Sequence, residues 1–238
     1  MSEKPTISII IPALNEEGNI EDTVNTVRVA LQDRFRDSEL FIFNDGSTDR
    51  TGIIADRLAK EDSRIKVIHN SKNMGLGWNF SEGVRLAQHK YTVLVPGDNE
   101  ISGDSISKMF QLVGNTDIVM LYTVNTWIRP LARRVVSRTF VGLMNSLFNL
   151  TIRYYNGPCA IRTALLKNIP LQNNSFAYMA CILVRLLRGG ATFVEEGMFI
   201  QPREYGGSHA LSLKNFIRVS KDILNLFIEV LLRAKNKV

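Results

Sequence analysis

Ile7-Ser-Ile-Ile-Ile-Pro-Ala-Leu-Asn-Glu-Glu17 decides the fold class. Ile7 to Ile11 is a short, β-branched, unalternated run, the pattern of a strand buried on both faces. Pro12 ends it, and Asn15-Glu-Glu17 opens a polar loop. From Glu16 to about Leu31, Ile20, Val24, Val27 and Leu31 recur at helical spacing.

The same alternation repeats outward along the chain. Strands are expected at Leu40–Phe43, Ile65–Ile68, Tyr91–Val95 and Asp117–Leu121. Helices are expected from Asp49, as cap, to Leu58, at Leu76–Gln88 and at Ser102–Val113. Strands alternating with helices imply an α/β fold with a mostly parallel sheet and right-handed crossovers. The second half is less regular. It reads as a basic helical stretch at Pro130–Arg153, a short strand near Cys159, a helix at Phe176–Arg188, a strand at Thr192–Gln201 and a last helix from about Leu211.

The chain has 238 residues, 45% apolar and 22% charged, which excludes the disordered class and suffices for a sizeable core. The uncharged stretch Thr139–Ile152 has 14 residues, short of the roughly 20 a membrane span needs. The opening residues Met1–Pro5 lack a signal-peptide pattern. Cys159 and Cys181 show no metal-type pairing and are expected to be packed. A cytoplasmic location follows as the expectation. The net charge of +6 is unevenly spread: residues 118–194 hold nine Lys/Arg and no acid. A confined positive field suits an anionic partner such as a phosphate, an anionic lipid or a nucleic acid.

In a parallel sheet, ligands bind beyond the carboxyl ends of the strands. Three loops there are rich in polar residues: Pro12-Ala-Leu-Asn-Glu-Glu17, Asn44-Asp-Gly-Ser-Thr-Asp49 and Pro96-Gly-Asp-Asn-Glu100. Each alone is also an ordinary turn or helix cap. Together they place Asp45, Asp98 and Glu100 at one edge. Asp98 and Glu100 offer hard oxygens to Mg²⁺ or Mn²⁺ beside a diphosphate. Gly75 and Gly77 open the third helix and suit either close approach of a ligand or a tight turn. No Walker-type phosphate loop is present, and no Gly-x-Gly-x-x-Gly follows the first strand, which weighs against an NTPase or a dinucleotide enzyme.

These motifs resemble the inverting glycosyltransferases of family 2. The opening strand and loop, Asn44-Asp-Gly-Ser-Thr-Asp49, Asn73-x-Gly-x-Gly77 with Gly83, and Pro96-Gly-Asp98 each match a family element, from Ile7 to about Leu121. The resemblance implies a nucleotide-sugar-binding GT-A fold over residues 1–210, with a donor half (1–122), an acceptor half (123–210) and an amphipathic helix (211–238). It implies that Asp45 hydrogen-bonds the donor's base. Pro12, Ala13 and Glu16 would line the base and ribose pocket, with Asn15, Ser47, Gly75 and Gly77 around it. Asp98 would hold the divalent cation, with Glu100 as a second ligand. Asn44 and Pro96 stand where the family has acids.

Within the family, the second half resembles the polyprenyl-phosphate sugar transferases of the dolichol-phosphate mannose synthase type. Those hold a lipid phosphate with arginines and a serine. Arg133 and Ser137, four apart, share a helix face beside Arg134 and Arg138. Gln201-Pro-Arg-Glu-Tyr-Gly-Gly-Ser-His209 resembles a late family segment matched by Arg203 and Ser208, with His209 in place of a lysine. Arg203 is then a candidate phosphate contact. Many members carry an acid on the helix matching Phe176–Arg188; here that helix has none. A sugar hydroxyl normally needs a general base, whereas a phosphate acceptor is already anionic. A polyprenyl-phosphate acceptor at the inner face of the cytoplasmic membrane is therefore expected, with a saccharide hydroxyl as the alternative. Glu195, Glu196 and His209 remain candidate bases.

The apolar positions Trp127, Leu131, Phe140, Leu143, Leu147 and Phe148, and those at Leu213, Ile217, Leu224, Phe227 and Leu231 of the last helix, interleave with cations. Such stripes suit peripheral membrane contact, core packing or a homodimer. Nucleic-acid binding is a weaker rival, with 8% aromatics and no recognition motif. A non-catalytic sugar-nucleotide binder is the other.

Overall fold

In the computed structural model, Thr6–Ala13 forms the central strand β1, inaccessible to solvent along nearly its whole length. The structure describes residues 3–171, 177–201 and 213–235. The elements alternate as expected: α1 (Ile20–Leu31), β2 (Asp37–Asn44), α2 (Thr51–Glu61), β3 (Ile65–His69), α3 (Leu76–Leu86), β4 (Tyr91–Leu94), α4 (Gly103–Leu112) and β5 (Ile118–Thr123). Then follow α5 (Leu131–Phe148), β6 (Cys159–Arg162), α6 (Thr163–Lys167), α7 (Tyr178–Arg188), β7 (Phe193–Met198) and α8 (Leu213–Lys235). The sheet runs β3-β2-β1-β4-β6-β5-β7. Every pairing is parallel except those of β6, which lies antiparallel between β4 and β5.

Helices cover both faces, which is why the inner strands read as continuous apolar runs. One core layer joins the sheet to α1, α2 and α4; the other joins it to α3, α5, α7 and α8. Several element ends shift: β1 runs on through Pro12 to Ala13, α5 stops at Phe148 and the last strand at Met198. The first helix begins at Ile20 because Glu16–Asn19 forms a preceding turn, with Asn19 N–H donating to Glu16 O. The second begins at Thr51; Asp49 accepts from the Thr51 N–H rather than from deeper in the helix.

Helix α3 lies against β1 through Gly83, where a Cβ would sit 2.4 Å from Ile10 Cδ1. Both residues are buried. The Gly83→Ala variant is expected to lose about 1–2 kcal/mol, overpacking outweighing the helix-propensity gain. Ile10→Ala removes both Cδ1 and Cγ1, the two atoms within 2.5 Å of that Cβ, so Gly83→Ala is expected to cost less in the Ile10→Ala chain than in wild type, read by urea unfolding as a double-mutant cycle.

Helix α8 packs on α7, tied by Arg185 to Glu229 (Nη2–Oε2, 2.8 Å), and meets α5 through Phe148 and Phe227. Its inner face is Ile223, Leu226 and Phe227, while Leu224 and Leu231 of the expected stripe point outward. The side chains of Leu213 and Ile217 lie outside the described residues, as does Phe176. Among the described residues no helix is long and apolar enough to cross a membrane. The buried carboxylate of Glu39 belongs to the amino end of the sheet. Burial raises its pKa, but hydrogen bonds from Gln88 N–H, Lys66 and Ser8 outweigh that and leave it lowered.

Candidate functional site

The three polar loops leave neighbouring strands at one sheet edge. Ala13 O accepts from Asp45 N–H (2.8 Å), and Pro12 O accepts from Gly97 N–H (3.0 Å). The end of β1 is therefore the hinge on which the Asp45 and Asp98 loops meet. The first and third loops each turn through a left-handed asparagine, Asn15 (φ 56°) and Asn99 (φ 49°), a conformation asparagine tolerates better than most residues.

Hydrogen bonds stitch the first two loops together. Asn15 N–H donates to Ser47 Oγ (3.0 Å), and Asn15 Oδ1 accepts from Thr48 N–H (2.9 Å). Glu16 N–H donates to Thr51 Oγ1 (2.8 Å), and Glu17 N–H to Asp49 Oδ2 (3.1 Å). Burial raises the Asp49 pKa, but the donors from Thr51 and Glu17 outweigh it and hold the carboxyl low.

Asp45 is 5% exposed and its carboxylate faces its own chain. Oδ1 accepts from Asn70 Nδ2 and Met74 N–H, both at 2.8 Å, and Oδ2 from Gly75 N–H at 3.0 Å. It therefore fixes the segment leading into α3, whose preceding residue is Gly75. Gly46 (φ 77°) permits this closeness: a Cβ there would lie 2.6 Å from the Lys72 carbonyl carbon. Asn44 is also turned inward. Its Nδ2 bonds His69 Nδ1 (3.0 Å) and its Oδ1 accepts from Ser47 N–H (3.2 Å). Gly77 is buried in the first turn of α3.

Asp98 is half-buried, and its Oδ1 accepts from Glu100 N–H (3.2 Å). Glu100 is directed toward Arg129, 3.8 Å away, with both side chains largely buried. Among the described residues, no three His, Cys, Asp or Glu side chains form a metal-binding group. The donor set still fits a hard cation bound by one carboxylate and completed by phosphate oxygens, the usual arrangement for Mg²⁺ at a diphosphate. Asp98 would supply that carboxylate, and Glu100 would be the poorer ligand because the Arg129 guanidinium already faces it.

Arg129 was not singled out from the sequence. It follows a 3₁₀ turn at Thr126–Ile128 and donates to Tyr154 Oη (3.1 Å), while its buried Nε has no hydrogen-bond partner among the described residues. It ties the start of α5 to the Asp98 loop. A lone arginine before a proline offers no spacing signal by which to find it. Arg133 and Ser137 are half-buried on the inner side of α5, in register with the buried Met144 and Phe148. Arg134 is half-buried, its Nε without a partner among the described residues, and Arg138 is exposed. Arg203, Ser208 and His209 lie outside the described residues.

Helix α7 carries no carboxylate. Of the candidate bases, Glu195 accepts from Arg153 N–H at 2.6 Å, and the Arg153 guanidinium stacks on Tyr122. Glu196 faces the opposite side of the sheet, where it adds to Asp104 in raising the pKa of Lys108. Both cysteines are buried, and burial pushes the Cys159 thiol well above its usual pKa, consistent with packing.

A family model described as Glycosyl transferase family 2 matches residues 8–169. The chain is 39% identical over 107 residues to "Uncharacterized glycosyltransferase EpsJ" of Bacillus subtilis, covering 45% of this chain and 29% of that protein. It is 25% identical over 247 residues to "Glycosyltransferase AglD" of Haloferax volcanii, covering 96% of this chain and 38% of that protein. The chain thus spans less than half the length of either relative. Among solved structures, glucosyl-3-phosphoglycerate synthase from Mycobacterium tuberculosis, in complex with Mn²⁺, UDP-glucose and phosphoglyceric acid, superposes with a TM-score of 0.69. That match has 14% identity and covers 95% of this chain and 79% of that one. At that identity it speaks to the fold, which is GT-A.

Proposed function

Because the chain belongs to glycosyl transferase family 2, we propose that it is a glycosyltransferase that transfers a sugar, with inversion, from a nucleotide-sugar donor to a polyprenyl phosphate at the cytoplasmic face of a membrane. The meeting of the Asp45 and Asp98 loops on Pro12 and Ala13 carries the donor half of this reading. The acceptor half rests on residues 118–194, which span β5, α5, β6, α6 and α7 with their connections and hold nine cations and no acid.

The donor's base and ribose lie along Pro12, Ala13, Asn15, Glu16 and Ser47. Asp45 acts by setting the Asn70–Gly75 loop and the start of α3. Asp98 binds Mg²⁺ or Mn²⁺ against the diphosphate; the cation neutralises charge on the departing nucleoside diphosphate. Glu100 anchors Arg129 at the same edge. Arg133, Ser137 and Arg134 hold the acceptor phosphate, with Arg203 as a further contact; guanidinium forks suit a phosphate. A phosphate monoester needs no proton removed before attack, so α7 needs no carboxylate, and Glu195 keeps its role of clamping Arg153.

The test is incubation of the chain with radiolabelled nucleotide sugars, membrane lipid extract and Mg²⁺ or Mn²⁺. Label is expected in the organic phase. Label confined to water-soluble saccharide selects the hydroxyl-acceptor alternative, and nucleotide binding without any transfer selects a non-catalytic binder. Arg133→Ala with Arg134→Ala is expected to lower kcat/KM for the lipid acceptor about tenfold to a hundredfold while donor affinity holds. Unchanged acceptor kinetics would remove these arginines from the site.

A further inference from the structure

Helix α5 is turned the wrong way for a helix facing water. A surface helix ordinarily shows its polar side outward. Here Arg133 and Ser137 are on the inner side, while Leu131 (69% exposed), Val135 (53%), Val136 and Leu143 are presented to the outside. The outward positions between them, Ala132, Thr139, Gly142 and Ser146, carry no charge. Trp127 (66% exposed) and Ile128 continue this surface upstream. Arg134 and Arg138, four residues apart, run along its border. At the far end of α5, Phe148 meets Phe227 of α8, which exposes its own Leu224, Ile228 and Leu231.

We propose that the outward face of α5, led by Trp127, Leu131 and Val135, docks on the surface of an anionic lipid bilayer. This rests on the lipid-phosphate reading above and identifies the surface that serves it. The charge pattern selects this occupant. An apolar stripe bordered by arginines matches the acyl boundary and the anionic headgroups above it, and an exposed tryptophan suits that interface. A second copy fits worse: an antiparallel twofold pairing of α5 would set arginine border against arginine border, and residues 118–194 offer no carboxylate to pair them.

The test is flotation of the full chain with phosphatidylcholine vesicles containing or lacking phosphatidylglycerol. Wild type is expected to float with the anionic vesicles and less with the neutral ones. Leu131→Glu with Val135→Glu is expected to reduce binding at least about tenfold, and Trp127→Ser to reduce it independently. Circular-dichroism melts check that both variants are folded, as their exposure leads one to expect. Transfer to a detergent-dispersed short polyprenyl phosphate should survive in both. Wild type that stays with the soluble fraction would overturn the proposal, as would folded variants that float unchanged. So would a wild-type dimer that the double substitution makes monomeric, since a second copy would then be the occupant. Wild type that floats but modifies no lipid phosphate leaves the docking face standing and removes the acceptor assignment.

Discussion

Asp98→Ala is expected to lower metal-dependent transfer by about 10²–10³-fold or more, the scale of losing one electrostatic contribution of roughly 3–4 kcal/mol at a developing charge. The argument has three steps. Asp98 follows directly on Gly97, whose N–H is held by Pro12 O at the end of β1, so its carboxylate is fixed to the edge shared with the Asp45 loop. It is the better of the two acids there, because Glu100 is directed to Arg129. Finally, its half-buried position makes it dispensable for folding: the melting temperature should stay within about 2–4 °C, the shift for 1 kcal/mol in a chain of this size. Steady-state rates across a Mg²⁺ or Mn²⁺ titration, beside a thermal melt, measure both. Glu100→Gln separates the two acids, since it should leave the metal concentration for half-maximal rate nearly unchanged. A large shift in Glu100→Gln with full activity in Asp98→Ala would exchange their roles.

The first half of the chain was legible because its physics is local. Strands covered on both faces must be continuous apolar runs, and the loops after them must carry turn residues; Ile7–Ile11 and Asn44–Asp49 satisfy both conditions within a few residues. The shared edge followed from the rule for parallel sheets. The second half depends on contacts distant in sequence. Cys159–Arg162 is four residues long, and nothing in it announces that it pairs antiparallel with β4 and β5. The α8 stripe was placed on a mixed face because Leu224 and Leu231 fit a helical period as well as Ile223 and Leu226 do; only packing on α7 chooses between them. Arg129 and Glu195 gain their meaning from partners 29 and 42 residues away, Glu100 and Arg153. The inward commitment of Asp45 was likewise invisible, since a carboxylate that binds a ligand and one that binds its own backbone are written with the same letter.

That last distinction can be measured. Asp45→Asn is expected to cost about 2–4 kcal/mol, or roughly 5–12 °C in melting temperature. Asparagine can still accept from Asn70 and Met74 through Oδ1, but it sets an NH₂ group against the Gly75 N–H that Oδ2 accepts in the native chain. The buried site then loses a charge-assisted bond and leaves the Gly75 N–H and the new amide N–H groups unpaired. Because Gly75 precedes α3, the loss should spread to the donor site and weaken nucleoside diphosphate binding about tenfold, measured by calorimetry over a panel of bases. The pattern of effects identifies the role. If Asp45 works through the loop, stability and affinity fall together and all bases weaken alike. If it reads the base directly, the melt is nearly unchanged and the preference among bases changes. A folded, destabilised variant with native affinity would show that the Asn70–Gly75 loop lies outside the donor site.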